Sequence, residues 1–239
     1  MLARLKRWPL ALIHWLGGTD LFVLLALLLL VGGVLAFVLV FDLVQRGRVQ
    51  SLDERIMLRA RALDDEGWVS PKVSQEVGRD LTALGGVAVL TFMTLAVTGY
   101  LLITRKYHAA LLVVLATLGG LSLSTLLKHA IDRPRPTVVE HLSGSITSSF
   151  PSGHSMMAAV VYLTLATLLN RFVRQQRVKL YVLSLALLLT LLVGVSRVYM
   201  GVHWPTDVLA GWSAGLAWAV VCWLVARWLQ RRGAVEKAG

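Results

Sequence analysis

Charge is scarce in this chain. Asp, Glu, Lys and Arg make up 15% of its 239 residues, where a water-soluble domain carries about 25%. The shortage is one-sided, because 13 acids stand against 24 Lys and Arg, for a formal charge of +11. Hydrophobic residues reach 56% and mean hydropathy is +0.70, so the solvent for most of this chain is a bilayer. Cysteine is nearly absent. The single Cys222 lies inside the last apolar run, where it excludes an internal disulfide, leaves the redox compartment unread and serves as a small core or lipid-facing residue. There is no internal repeat and no low-complexity tract apart from leucine-rich runs. A signal-peptide cleavage site is also missing. Arg4, Lys6 and Arg7 precede an apolar run as in a signal sequence, but the run over 21–41 exceeds the ~7–15 residues of a signal core. It reads as a retained helix.

Six apolar runs are visible, over 21–41, 81–103, 109–127, 155–169, 180–195 and 208–229. Each is near the ~20 residues a membrane-crossing helix needs, and the fourth and fifth reach that length only with flanking residues. The expected fold class is all-α: an integral-membrane bundle of six transmembrane helices in one domain over 1–239. The glycine pairs Gly32-Gly33, Gly85-Gly86 and Gly119-Gly120 fall within these runs, where small residues let helices pack closely.

Only 42–80 is long and polar, with seven cations and eight acids among Leu52, Ile56, Leu58, Leu63 and Trp68. Two readings fit it: an amphipathic helix lying in the interface and ending near the Gly67 to Pro71 turn, able to guide a headgroup, or a solvated connector.

Orientation follows from the cations. With the N-terminus cytoplasmic and sides alternating, the cytoplasmic segments hold 13 cations (Arg4, Lys6, Arg7, Arg105, Lys106, Arg171, Arg174, Arg177, Lys179, Arg227, Arg231, Arg232 and Lys237) against two acids, Asp20 and Glu236. The opposite face balances to zero, so the whole net charge falls on one side. Topology and anionic headgroups account for the basicity, and nucleic acid is excluded as the partner. The same topology puts three motifs on the other face: 128–136 (KHAIDRPRP), 151–154 (PSGH) and 196–207 (SRVYMGVHWPTD).

These motifs cluster ionisable groups at membrane borders, where a buried charge costs from ~2.5 kcal/mol upward. Lys128 closes one apolar run and Arg135 follows in a loop stiffened by Pro134 and Pro136. Arg offers a planar fork for two phosphate oxygens, and Lys a mobile point charge. Juxtamembrane cations are common, so this motif is weak alone. PSGH reads as a helix entry: Ser152 as N-cap, Gly153 as bare backbone open to an anion, His154 in the first turn aimed at the same ligand. A histidine at a membrane border is ordinarily structural; its place after a phosphate-suited turn reverses that reading. Arg197 closes the fifth run, and Asp207 follows His203 by four residues. A carboxylate on one ring nitrogen fixes the tautomer and frees the other nitrogen to attack, and Asp207 can also serve as a helix N-cap. Three cations suit a phosphate dianion; two histidines suit chemistry on it, including a covalent intermediate.

The set KxxxxxxRP, PSGH and SRxxxxxHxxxD resembles the type 2 phosphatidic acid phosphatase (PAP2) superfamily, which includes lipid phosphatases, glucose-6-phosphatase and vanadium haloperoxidases. Every motif position is filled, by Lys128, Arg135, Pro136, Pro151, Ser152, Gly153, His154, Ser196, Arg197, His203 and Asp207. The resemblance implies that His203 is the nucleophile oriented by Asp207 and that His154 is the general acid. It implies that Lys128, Arg135 and Arg197, with Ser152 and the Gly153 backbone, hold the phosphate and stabilise the transition state. It also implies no metal or other cofactor. The partners expected are the bilayer and a phosphorylated lipid, with no obligatory protein partner. Undecaprenyl diphosphate and phosphatidylglycerol phosphate are favoured, ahead of phosphatidate and lipid A 1-phosphate. Short loops and the lack of organelle signals place the chain in a bacterial inner membrane, termini cytoplasmic and site exterior. Alternatives are a phosphotransferase of the same fold, a vanadate-dependent haloperoxidase, and a silent transporter of phospholipid-like anions. The transporter needs neither His154 nor the His203–Asp207 relay.

Overall fold

The computed structural model describes residues 18–65, 70–144 and 148–231. Arg4, Lys6, Arg7, Arg232, Glu236, Lys237, Gly67 and Trp68 lie outside them. The described residues form eight helices: α1 (Gly18–Gln45), α2 (Gln50–Asp65), α3 (Pro71–Ala83), α4 (Val87–Ile103), α5 (Tyr107–Ala130), α6 (Gly153–Phe172), α7 (Gln176–Tyr199) and α8 (Pro205–Arg231). In hydrocarbon every backbone N–H and C=O must be satisfied within the chain, which favours helices wherever the sequence is continuously apolar.

Helices α1, α5, α6, α7 and α8 are each long and apolar enough to cross a membrane. The sixth candidate crossing is the α3–α4 pair, bent by 41° at its break. The chain is a multi-pass membrane protein. The fourth and fifth runs reach full length, as 20-residue α6 and 24-residue α7, by recruiting the polar residues at their ends. The second run is interrupted where the sequence pattern had placed a continuous helix. Leu81 to Ala83 close α3, Gly85 and Gly86 stand in the break, and α4 begins at Val87. Gly85 meets Val193 so closely that a Cβ there would lie 2.3 Å from its Cγ1. Within the helices, Gly119 and Gly120 take up Trp218 and Val160, and Gly33 lies against Ser213 and Ala217, while Gly32 faces open space.

Helix α6 is the axis. It packs on α5, α7 and α8, and Ala158, Ala159, Val160, Val161 and Ala166 are buried along it. Its small side chains let three neighbours approach at once. Helix α1 packs chiefly on α8 and exposes Phe22, Leu28, Leu35 and Leu39, surface that suits lipid tails. At its far end Phe37 and Phe41 tilt against Phe150, just ahead of the PSGH motif.

The polar stretch resolves into the end of α1, then α2, then α3, with Pro71 at the first position of α3, where its missing N–H removes no bond. It is no solvated connector throughout, because Asp53 and Met57 of α2 are buried while Leu52, Ile56 and Leu58 stay exposed. Gly78 of α3 lies against Tyr199 and Met200. Arg61 of α2 donates to the carbonyls of Glu140 (3.0 Å) and Tyr199 (3.5 Å) and covers the Tyr199 ring. The segment between the first two spans is thus docked on the loops that carry the motifs.

Candidate active site

Successive spans run in opposite directions, so the C-terminal ends of α5 and α7 meet the N-terminal ends of α6 and α8. Those four ends carry Lys128, Arg197, His154 and Asp207. Lys128, Arg135, Gly153, His154, Arg197 and His203 line one cleft of about 280 Å³. The rest of its wall is Gly85 at the α3–α4 break, Val87, Leu90 and Thr91 of α4, Thr117, Leu121, Ser124 and Thr125 of α5, and Met157 of α6. From Lys128 back to Thr117 this wall follows one face of α5 for roughly 16 Å, at 1.5 Å per residue. A polar mouth therefore opens into an apolar channel between α4 and α5.

The first turn of α8 sets the electrostatics. Trp204 precedes Pro205, and Asp207 is the third helical residue, so Asp207 caps the helix from inside the first turn: its Oδ2 accepts the Trp204 N–H at 2.9 Å. The same Oδ2 stands 3.5 Å from His203 Nδ1, beyond hydrogen-bond length, and that buried nitrogen has no other partner. Such a contact shortens when the imidazole carries charge. Burial pushes His203 down to about 4, against the opposing pull of Asp207 and with Arg197 and Arg135 adding to the fall, so the resting ring is neutral at pH 7.

The cations are each held by a polar group of the fold. Arg197, almost wholly buried, donates from Nη1 to Thr82 Oγ1 (3.0 Å) while its buried Nε has no partner. Arg135 donates to the Val202 carbonyl (2.5 Å), and Lys128 to the Ser148 carbonyl (3.2 Å). The Lys128 stem crosses Gly153 closely, so that a Cβ there would lie 3.2 Å from Cε and press on the lysine. Ser152 is tied to its neighbours in the fold. It occupies the N-cap position of α6 without a capping side-chain bond, is fully buried outside the cleft, and accepts a bond from Ser155 Oγ at 2.9 Å. Its backbone N–H goes to the Asp207 carbonyl (3.0 Å) and ties the start of α6 to the start of α8.

Two charged residues escaped the sequence reading. Arg133, within the first motif, donates to Asp207 Oδ1 (2.6 Å), Thr206 Oγ1 (2.8 Å) and Asp53 Oδ2 (2.8 Å). Asp53 also accepts the Thr206 N–H at 3.0 Å and its hydroxyl at 2.5 Å. Trp204 donates to the Pro134 carbonyl (3.0 Å) and locks the first motif onto the third. Arg133 was visible as a fourth cation; nothing local marked Asp53. Among the described residues no group of three or more His, Cys, Asp or Glu is placed to hold a metal ion.

A cleft that presents three cations and two histidines at its mouth and hydrocarbon along its wall belongs to a membrane lipid phosphatase. The chain is a member of the PAP2 superfamily, whose profile matches residues 108–231. It is 35% identical over 185 residues to phosphatidylglycerophosphatase B of Bacillus subtilis, an overlap of 76% of this chain and 87% of that protein. The crystal structure of a transmembrane PAP2-type phosphatidylglycerolphosphate phosphatase from Bacillus subtilis matches with a TM-score of 0.77 and 32% identity, over 84% of this chain and 98% of that one. Undecaprenyl-diphosphatase of Sulfolobus acidocaldarius is 37% identical over 67 residues, 28% of each chain.

Proposed function

We propose that this phosphatase removes the terminal phosphate of phosphatidylglycerol phosphate at the outer face of a bacterial inner membrane, through a phosphohistidine at His203. The observation that carries the reading is the joint placement of both histidines and the three motif cations in one cleft continuous with an apolar channel. A soluble phosphate ester has no use for the channel, whereas a lipid can leave its tails there while its headgroup meets the cations. Phosphatidylglycerol phosphate ranks first because the relative covering most of this chain bears that name. Undecaprenyl diphosphate ranks second, on the shorter match. The basic residues Arg105, Lys106, Arg171, Arg174, Arg177 and Lys179 lie at the opposite end of the spans and support a cytoplasmic assignment for that end.

In the first step Nε2 of neutral His203 attacks phosphorus, the bond from phosphorus to the lipid oxygen breaks, and His154 gives its proton to that oxygen. Lys128, Arg135 and Arg197, with the Gly153 backbone, stabilise the charge spread over the equatorial oxygens. Asp207 steadies the cationic ring. A water then loses a proton to His154 and attacks phosphorus, releasing inorganic phosphate and restoring His203.

The test is phosphate release by purified protein from phosphatidylglycerol phosphate, undecaprenyl diphosphate, phosphatidate and lipid A 1-phosphate, with EDTA present and His203→Ala as control. Fastest release from phosphatidylglycerol phosphate, surviving EDTA and lost in the variant, is the expected result. Faster release from undecaprenyl diphosphate would reverse the ranking. Intact protein that releases nothing from any of the four would point to a phosphotransferase lacking its acceptor.

A further inference from the structure

Asp53 stands 80 residues before Arg133 and over 150 before Asp207, on a helix outside the three motifs, yet it is fully buried against both the arginine and the first turn of α8. The partners form a closed ring. Arg133 donates one nitrogen to each carboxylate, at 2.6 Å to Asp207 and 2.8 Å to Asp53, and the Thr206 hydroxyl accepts from Arg133 and donates to Asp53. One guanidinium thus serves two carboxylates, and the ring keeps one negative charge. Solvent is excluded from it, so that charge is felt strongly by its neighbours.

The neighbour is His203. Attack on phosphorus leaves its ring cationic, in a place already faced by Arg197 of α7, Arg135 of the loop, Lys128 of α5 and His154 of α6, with Asp207 of α8 the carboxylate at its Nδ1 and Arg133 on the other oxygen of that carboxylate. If Arg133 belonged to Asp207 alone, the pair would carry no net charge and would stabilise the developing cation less.

We propose that Asp53 is a positioning residue for the hydrolysis: by sharing Arg133 with Asp207, it keeps the Asp53–Arg133–Asp207 ring net negative and Asp207 aligned beneath His203. The inference rests on the reading of His203 as nucleophile. It assigns the helix between the first two spans a part in turnover, which packing alone would not require.

The experiment uses the full chain in detergent with phosphatidylglycerol phosphate, or with whichever lipid of the panel is turned over fastest, and compares Asp53→Asn, the double variant Asp53→Asn/Arg133→Gln, and His203→Ala. Phosphate release gives kcat and KM, acid quench gives the phosphoenzyme, and thermal melting reports the fold. Asp53→Asn makes the ring neutral and should lower kcat at least about tenfold, as one decade per 1.4 kcal/mol of lost charge stabilisation, with KM within about twofold. The double variant removes one charge of each sign, restores a net negative ring, and should recover kcat to within about fivefold of the parent. A purely structural role predicts the reverse order, with the double variant worse than the single and melting falling in step. That order, or a parental kcat in Asp53→Asn beside an inactive His203→Ala, would overturn this inference alone. Retained turnover in His203→Ala would overturn the nucleophile reading and this inference with it. Where Asp53→Asn yields no folded protein, the double variant decides: near-parental turnover supports the charge argument, and loss of turnover in folded protein refutes it.

Discussion

Gly211→Ala should damage catalysis out of proportion to one methyl group. Gly211 and Gly215 lie one turn apart on α8, both against α6. A Cβ at 211 would stand 2.6 Å from the Ser152 carbonyl oxygen, 3.1 Å from Ser155 Cβ and 3.2 Å from Met156 N; one at 215 would stand 2.6 Å from the Met156 carbonyl oxygen. The obstacles at 211 are mainly backbone, which cannot rotate aside. Non-bonded carbon contacts settle near ~3.5 Å, so the two helices must part by nearly an ångström at this crossing. Overpacking of this kind costs about 1–3 kcal/mol of stability. The functional loss should be larger, because the crossing joins His154 on α6 to Asp207 on α8 through the Ser152 N–H to Asp207 carbonyl bond of 3.0 Å. A misplacement near 1 Å between reacting groups costs on the order of 10²-fold in rate. The assay is kcat for phosphate release beside the half-life of thermal inactivation, with Gly32→Ala, which meets nothing within 4 Å, as the neutral control. Parental kcat and half-life in Gly211→Ala would refute the claim that this close approach aligns the two halves of the site.

Three further outcomes are expected. His203→Ala should abolish turnover and the acid-quenched phosphoenzyme together, whereas His154→Ala should mainly slow phosphoenzyme formation and recover on an aryl phosphate whose leaving group needs no proton. Arg197→Lys keeps the charge but loses the fork whose Nε is unpartnered, and should lower kcat about 10²-fold, the scale of one lost transition-state donor. With His203 held down to about 4, its contribution to stability is complete above the ~6.5 of an unfolded-chain histidine, declines as pH falls because the unfolded chain takes the proton first, and is fully lost below about 4. Melting points measured from pH 7 to 4 should therefore fall less steeply in His203→Gln than in the parent.

Most of the architecture and the cleft's principal residues were legible in the linear chain, because both rest on local rules. A run of some twenty apolar residues has few alternatives to a spanning helix, and motif cations at the ends of such runs are brought to one surface by alternating direction alone. Lys128, Arg135, His154, Arg197 and His203 were found in this way and share one cleft. What the linear chain did not display were partners. Ser152 reads from its motif as part of the phosphate-binding turn, and only the helix crossing shows its N–H on the Asp207 carbonyl and its hydroxyl oxygen accepting from Ser155. The second run looked continuous because hydropathy does not register that Val193 fills the space beside Gly85.

The order, length and polarity of the spans, and the chemistry gathered at their ends, were thus settled by composition and spacing. The division of labour among the cations was decided only in three dimensions. The KxxxxxxRP spacing picks out Arg135, which lines the cleft, but nothing in KHAIDRPRP shows that Arg133 faces two carboxylates. A side chain's role depends on the charge opposite it, and here that charge is Asp53, brought from 80 residues away by a helix whose sequence resembles an ordinary polar connector.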